Sequence, residues 1–109
     1  MSGSEASADR HEPSRAVIDG MRGPVLLEFG ASWCGHCRAL APKLARLLEG
    51  CPEIQHIQVE DGPGQPLGRS IGVKLWPTLL FMWEGRVAKQ VARPEIDKVL
   101  EGLAMIAGE

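Results

Sequence analysis

Two of the three cysteines in this chain lie close together, within the stretch ASWCGHCRAL. Cys34 and Cys37 enclose Gly35 and His36, and Trp33 stands directly before the pair. Cysteines at this spacing can ligate a metal, attach a haem, form an inert disulfide or exchange electrons as a dithiol–disulfide couple. The neighbouring residues help to decide among these chemistries.

Metal and haem chemistry are poorly supported around the pair. Haem attachment needs a histidine directly after the second cysteine, but Arg38 follows Cys37. Structural zinc needs four ligands, usually from two close cysteine pairs, and this chain has one such pair with His36 and the distant Cys51 as further candidates. An inert disulfide is rare in a reducing compartment. The residues therefore favour redox chemistry without a bound metal.

A strand and a helix are predicted on either side of the pair. The run PVLLEF at 24–29 is almost continuously apolar, which is typical of a strand buried on both faces. A helix is predicted from Cys34 to Glu49, because leucines recur on one face and Gly50 follows as a stop. These leucines are Leu40, Leu44, Leu47 and Leu48. Pro42 should kink the helix, because it cannot donate to the carbonyl four residues back.

Cys34 is thus placed at the first turn of a helix, where amide N–H groups lack internal partners and the helix dipole is positive. Both effects stabilise a thiolate, so we expect Cys34 to ionise more readily than a free cysteine. Cys37 lies one turn further along and behind it, at a distance that allows the two sulfurs to bond. A strand-to-helix turn is also the setting in which such a pair is redox-active.

The remaining segments complete an α/β pattern. They begin with a short helix within 14–21 and a strand at 53–60, followed by a loop over 61–68 with room for a short helix. Strands at 78–83 and 86–92 joined by a hairpin turn at 84–85 come next, and Pro94 and Glu95 open a final helix. Five apolar residues recur at helical spacing in that last helix: Ile96, Val99, Leu100, Leu103 and Ile106. This order predicts a central mixed sheet covered by helices on both faces.

Composition narrows the possible functions. The chain has 109 residues, 44% hydrophobic and 24% charged, which suits one globular domain that needs no disulfide framework. A net charge of -2 without a basic cluster argues against nucleic-acid binding. No apolar run approaches the ~20 residues that a membrane span requires.

The first segment, residues 1–13, is polar and small, and we expect a disordered tail followed by one domain over 14–109. It carries Glu5, Asp9 and Glu12 and lacks the apolar core of a secretory signal. If the chain is complete, we therefore expect it in the cytoplasm.

Two stretches resemble the thioredoxin family. VLLEFGASWCGHCRALAPKL is similar to the family's active-site strand and helix, and WPTLLFMWEGRVAKQVA resembles the segment around its cis-proline. The resemblance covers about residues 14–107. It implies a thioredoxin-like fold with a mixed sheet of four or five strands, since the family's usual first strand has no clear counterpart in residues 1–13.

The resemblance also implies a substrate groove beside the cysteines. Pro77 matches the cis-proline, and a cis bond there would expose the backbone of Trp76 to an extended substrate segment. Trp76 and Trp33 would form an apolar rim, unless Trp76 packs into the core. Ala92 stands at the groove edge, where many family members have glycine. Gly35 and His36 complete the substrate-contacting set implied between the cysteines.

Glu28 lies six residues before Cys34, inside the buried strand. A carboxylate there is costly to keep ionised unless it is partnered or reaches solvent at the strand edge. By resemblance, Glu28 accepts and returns the proton of Cys37. His56 aligns with a lysine of bacterial thioredoxins that lies beside this acid, so whether it pairs with Glu28 is an open question.

The resemblance implies a thiol–disulfide oxidoreductase in which Cys34 attacks a protein disulfide and Cys37 resolves the mixed disulfide. It implies recycling by a thioredoxin reductase, with no metal or organic cofactor held by this chain, which we expect to be a monomer. GPGQPLG is not a nucleotide fingerprint, because it lacks the strand and helix that such a motif joins.

Two alternatives stay open. CGHC is the pair of protein disulfide isomerase domains, and an imidazole near Cys34 favours the thiolate and hence a more oxidising couple. The domain would then act as an oxidant or isomerase. It could instead be a binding module that holds partners without turnover. Cys51 is interpreted as a spare thiol, with a regulatory or intermolecular disulfide as the alternative.

Overall fold

The computed structural model describes residues 13–107, which form four helices and four strands. In chain order these are α1 (Arg15–Asp19), β1 (Pro24–Gly30), α2 (Gly35–Glu49), β2 (Gln55–Glu60), α3 (Pro66–Ser70), β3 (Thr78–Trp83), β4 (Arg86–Ala92) and α4 (Ile96–Ile106). The tail expected at 1–13, and with it the question of an additional first strand, lies outside the described residues apart from residue 13.

The strands form one mixed sheet in the order β2–β1–β3–β4. The central strand β1 pairs parallel with β2 and antiparallel with β3, and β4 pairs antiparallel with β3. Because β1 has a neighbour on both sides, its backbone is fully paired and its ends are held in place. Glu28 lies opposite Gln58 on β2 and Leu79 on β3, so this carboxylate stands at the middle of the sheet.

The two faces of the sheet are buried under different helices, as the α/β pattern predicts. Side chains alternate along β1, so Val25, Leu27 and Phe29 pack on the face that carries α1 and α3. Leu26 points to the opposite face, among apolar side chains of α2 and α4. Glu28 shares the face of Leu26 because it is two residues further along the strand.

The ends of α1 and α2 and the β3–β4 turn are set by capping and turn-forming residues. Ser14 caps α1, its hydroxyl oxygen accepting a hydrogen bond from the Val17 amide at 3.1 Å. Gly50 ends α2, as its position predicts, and α2 continues from Gly35 to Glu49 through Pro42 as one helix. In the β3–β4 turn, Glu84 and Gly85 both have positive φ, the conformation of a two-residue hairpin.

One sequence prediction needs correction. The strand expected at 53–60 begins at Gln55, because the Ile54 amide closes a turn on the Cys51 carbonyl oxygen. The loop over 61–68 runs into the short helix α3, which agrees with the short helix expected in this region. Leu100 is about half exposed, since α4 turns Val99 and Leu103 toward the sheet instead. Among the described residues, no helix is long and apolar enough to cross a membrane.

Candidate active site

Cys34 and Cys37 lie at the join between β1 and α2. The chain leaves β1 at Gly30 and makes a turn in which the Cys34 amide donates to the Ala31 carbonyl oxygen at 3.0 Å. Cys34 then caps α2, and its sulfur accepts a hydrogen bond from the Cys37 amide at 3.4 Å. The sequence-predicted placement at a helix start is therefore observed, and both thiols are largely buried.

The two thiols have opposite electrostatic surroundings. The pKa of Cys34 lies below its ordinary value, chiefly because the Cys37 thiol donates a hydrogen bond to it. Burial opposes this effect, whereas amides of Cys37 and His36 and the charge of Arg93 add to it. Burial raises the pKa of Cys37 to about 11, with further contributions from Cys34 and the charge of Glu28. Cys34 is therefore the thiol that ionises first.

Gly30 provides the space that the second thiol occupies. A Cβ built on Gly30 would lie 2.7 Å from the sulfur of Cys37, closer than such atoms approach in proteins. Any larger residue at this position would push Cys37 away from the strand. The sequence did not indicate that Gly30 makes room for the Cys37 sulfur, because a glycine at the end of a strand is also typical of an ordinary turn.

Glu28 is buried on the same face of β1 as Gly30, with 6% of its side chain exposed. Its carboxylate contacts His56 Nε2 at 2.7 Å and receives a longer contact from Gln58 Nε2 at 3.5 Å. His56 lies on the edge strand β2, and 26% of its side chain is exposed. The open question about His56 is thus resolved: it pairs with Glu28 and links the buried carboxylate to the surface.

Trp76 and Pro77 stand across from the cysteines, joined by a cis peptide bond as the resemblance implies. The Trp76 ring packs against Cys34 and Cys37, and its indole N–H donates to Asp61 Oδ2 at 2.8 Å. It meets the Trp33 ring edge-on, with 5.3 Å between ring centroids. Trp33 is 69% exposed and forms an apolar rim around the thiols together with Trp76. Trp76 is only partly exposed and also packs against the core cluster that includes side chains of β1 and β3, so both expectations for it are met.

The end of β4 borders the same groove. Ala92 is exposed and pairs with Thr78, the residue after the cis-proline, which agrees with a place at the groove edge. The next residue, Arg93, has a φ of 47° and contacts both residues of the cis bond: its amide donates to Pro77 O at 2.7 Å and its Nε to Trp76 O at 2.8 Å. Sequence analysis missed Arg93 and Asp61, because only the folded chain brings them to Trp76.

Gly35, His36 and Cys51 make fewer contacts with the site than the residues described above. A Cβ at Gly35 would meet nothing within 4 Å, and His36 is exposed beside it. Cys51 packs at the border of the core under α2 and α4, apart from the pair. Among residues 13–107 no group of three or more His, Cys, Asp or Glu side chains is arranged to hold a metal ion.

A thiol poised to ionise, a second thiol behind it and a cis-proline groove define a site for thiol–disulfide exchange. The comparisons with known proteins agree. A family model described as thioredoxin matches residues 8–104. The solved structure of thioredoxin 2 from Pseudomonas aeruginosa PAO1, in its reduced form, is 47% identical with a TM-score of 0.78, covering 91% of this chain and 93% of that one.

Two curated relatives extend the comparison. Thioredoxin H-type of Ricinus communis is 30% identical over 83 residues, 76% of this chain and 70% of the relative. Protein disulfide-isomerase A2 of Pongo abelii is 45% identical over 65 residues, which are 56% of this chain and 12% of that protein. The chain belongs to the thioredoxin family, and it is a thiol–disulfide oxidoreductase that acts through the Cys34–Cys37 couple.

Proposed function

We propose that this protein works as a reductase of protein disulfides. The observation that carries the proposal is the position of Cys37: its thiol is buried against Gly30, two residues along β1 from the buried carboxylate of Glu28. A couple that reduces a substrate must remove the proton of its second thiol during the reaction. Glu28, in contact with the partly exposed His56, supplies an acceptor and a route to solvent for that proton.

In the first step, the Cys34 thiolate attacks one sulfur of the substrate disulfide. The substrate S–S bond breaks, one substrate thiolate leaves, and a mixed disulfide joins Cys34 to the other sulfur. In the second step, Cys37 gives its proton to Glu28 and attacks the Cys34 sulfur. The mixed disulfide breaks, the second substrate thiolate leaves, and the protein keeps a Cys34–Cys37 disulfide. The substrate gains two electrons and the couple loses two.

The groove is proposed to hold the substrate as an extended segment. The backbone of Trp76 beside the cis bond offers hydrogen-bonding groups at the level of Cys34, and the rim of Trp33 and Trp76 offers apolar surface. Ala92 leaves room at the edge for a passing backbone, since its side chain is a single methyl group.

For its cellular role, we propose that the oxidised couple is reset by a thioredoxin reductase, and that the protein is a cytoplasmic monomer. In that setting it carries electrons to disulfides and contributes to redox homeostasis. Support comes from the family membership and from the cysteine count of three, which is too few for the disulfide framework typical of small secreted domains. Consumption of NADPH in the presence of thioredoxin reductase and a protein disulfide, together with sedimentation of the protein, tests these points.

A second candidate function is that of an oxidant or isomerase. His36 lies within the pair, and the similarity to a protein disulfide-isomerase favours it. The reduction potential, measured by equilibration with glutathione, decides between the two. A value near about -270 mV supports the reductase, whereas a value near about -180 mV supports the oxidant or isomerase and contradicts our proposal.

A further inference from the structure

Arg93 is an exposed residue held in an unusual position beside the groove. It follows the last residue of β4 and adopts a φ of 47°, a conformation that non-glycine residues seldom take. Two hydrogen bonds hold it there, from its amide to Pro77 O at 2.7 Å and from its Nε to Trp76 O at 2.8 Å. The guanidinium is thus fixed against the backbone segment that we propose to bind substrate.

The contacts leave most of the guanidinium unused. Arginine has five N–H donors in a rigid planar fork, and Trp76 takes one of them. Within the described part of the chain, no carboxylate lies within ion-pair distance of Arg93. The two Nη groups therefore remain able to receive a carboxylate in the bidentate geometry that arginine favours.

The opposite side of the groove carries negative charge that is already engaged. Asp61 accepts the indole N–H of Trp76, and Glu60 accepts the Ser32 amide at 3.4 Å. Arg93 is close enough to Cys34 to favour its thiolate electrostatically. The groove is therefore asymmetric, with an unpaired cation on the β4 side and partnered carboxylates on the β2 side.

We propose that Arg93 is a specificity-determining residue that selects disulfide substrates with a carboxylate side chain next to the reactive cysteine. The inference rests on the proposed function, because it needs the substrate to lie along the backbone of Trp76. A guanidinium already immobilised by two hydrogen bonds loses little rotamer freedom when it binds such a carboxylate. The hydrogen bond to Trp76 O does not exclude a substrate amide, since a carbonyl oxygen can accept two.

The test uses the reduced full-length protein and three small peptide disulfides, in which the residues flanking the reactive cysteine are Glu, Gln or Lys. The rate of oxidation of the protein by each peptide is followed by tryptophan fluorescence in a stopped-flow instrument. We expect the Glu peptide to react about fivefold faster than the Lys peptide, the size of a partly exposed ion pair, and this ratio to shrink with added salt.

Variants separate recognition from the influence of Arg93 on Cys34. Arg93→Gln should slow all three peptides together, because the thiolate of Cys34 is less favoured, and should also abolish the ratio between the Glu and Lys peptides. Arg93→Lys keeps the charge and should retain part of the ratio. Arg86→Gln makes the same charge change at the other end of β4, about 20 Å away, and should leave the ratio unchanged.

A ratio that survives in Arg93→Gln, or one that Arg86→Gln abolishes equally, would overturn the inference. Failure of the wild-type protein to react with any of the three peptides would instead contradict the proposed function itself, and the inference with it. Reaction of all three at equal rates leaves the reductase intact and refutes the selectivity of Arg93. Thermal unfolding of each variant confirms that it is folded before rates are compared.

Discussion

The active site has two sides, which are formed by different kinds of structural element. Its outer side, formed by Cys34, Trp76 and Arg93, comes from a helix start and from loop segments joined by hydrogen bonds. Its inner side, formed by Cys37, Gly30, Glu28 and His56, comes from α2 and the two parallel strands.

The difference separates the two steps of the exchange. On the outer side, the Cys34 thiolate is stabilised chiefly by the hydrogen bond from the Cys37 thiol, then by the amides of Cys37 and His36 at the start of α2, and last by the charge of Arg93, so it is ready before the substrate arrives. The inner side supplies burial and a carboxylate, which keep the second thiol protonated until a mixed disulfide has formed. One pair of identical side chains thus acquires two roles from position alone.

The largest expected effects come from removing either sulfur. Cys34→Ser should lower the rate of disulfide reduction by on the order of 10³-fold or more, since the attacking nucleophile is lost. Cys37→Ser should keep the attack but stop resolution, so a mixed disulfide accumulates. Intact-protein mass spectrometry checks both. If the mixed disulfide accumulated in Cys34→Ser instead, Cys37 would be the attacking thiol and Cys34 the resolving one, contrary to the proposed roles.

Glu28→Gln tests the inner side alone. We expect the lifetime of the mixed disulfide to increase about 10²-fold, because Cys37 loses its proton acceptor, while the rate of attack by Cys34 stays the same. Acid-quench trapping of the intermediate measures the lifetime. Glu53→Gln, which removes an exposed carboxylate just before β2, is the control. Equal lifetimes in the two variants would remove Glu28 from the mechanism.

Gly30→Ala tests the packing that places Cys37. The added methyl group should overlap the Cys37 sulfur and lower the free energy of unfolding by about 1–3 kcal/mol. Gly35→Ala is the matched control: its Cβ meets nothing, and alanine should leave stability unchanged or raise it by up to ~1 kcal/mol in this first helical turn. Urea denaturation of the reduced proteins measures both. Similar unfolding free energies for the two variants would show that the structure accommodates a methyl group at Gly30 without cost, and would contradict the packing role given to Gly30.

Trp76→Phe should have the smallest effect. It keeps an aromatic ring against the cysteines but removes the hydrogen bond to Asp61, for a loss of about 1 kcal/mol in unfolding free energy. Trp83→Phe, at the partly exposed end of β3, is the comparison and should change stability less. Denaturation midpoints of the two variants provide the measurement, and a larger loss for Trp83→Phe would contradict the role given to Asp61.

Much of the fold and of the inner side could be predicted from local sequence patterns. The strands at 78–83 and 86–92 have the predicted bounds, because apolar runs and a turn-forming Glu-Gly pair are local signals. Glu28 was noticed because a carboxylate inside an apolar strand is unusual.

The residues that sequence analysis missed depend on approaches between distant segments. Gly30 matters because of a sulfur seven residues away in another element, and Asp61 because the indole of Trp76 reaches it. Arg93 stands before a proline at the end of a strand, which indicates a boundary and nothing more. The exposure of Leu100 could not be predicted for a related reason: spacing shows which residues share a helix face, but the neighbouring elements decide how wide the buried face is.

Alkylation directly measures whether Cys34 and Cys37 ionise in different pH ranges. The reduced protein is treated with iodoacetamide between pH 5 and 11, and the modified cysteine is identified by peptide mass spectrometry. We expect Cys34 to react with a midpoint below that of a free thiol and then reach a plateau, while Cys37 stays unmodified until the pH approaches its pKa of about 11. Equal reactivity of the two cysteines across this range, or earlier modification of Cys37, would contradict this expectation.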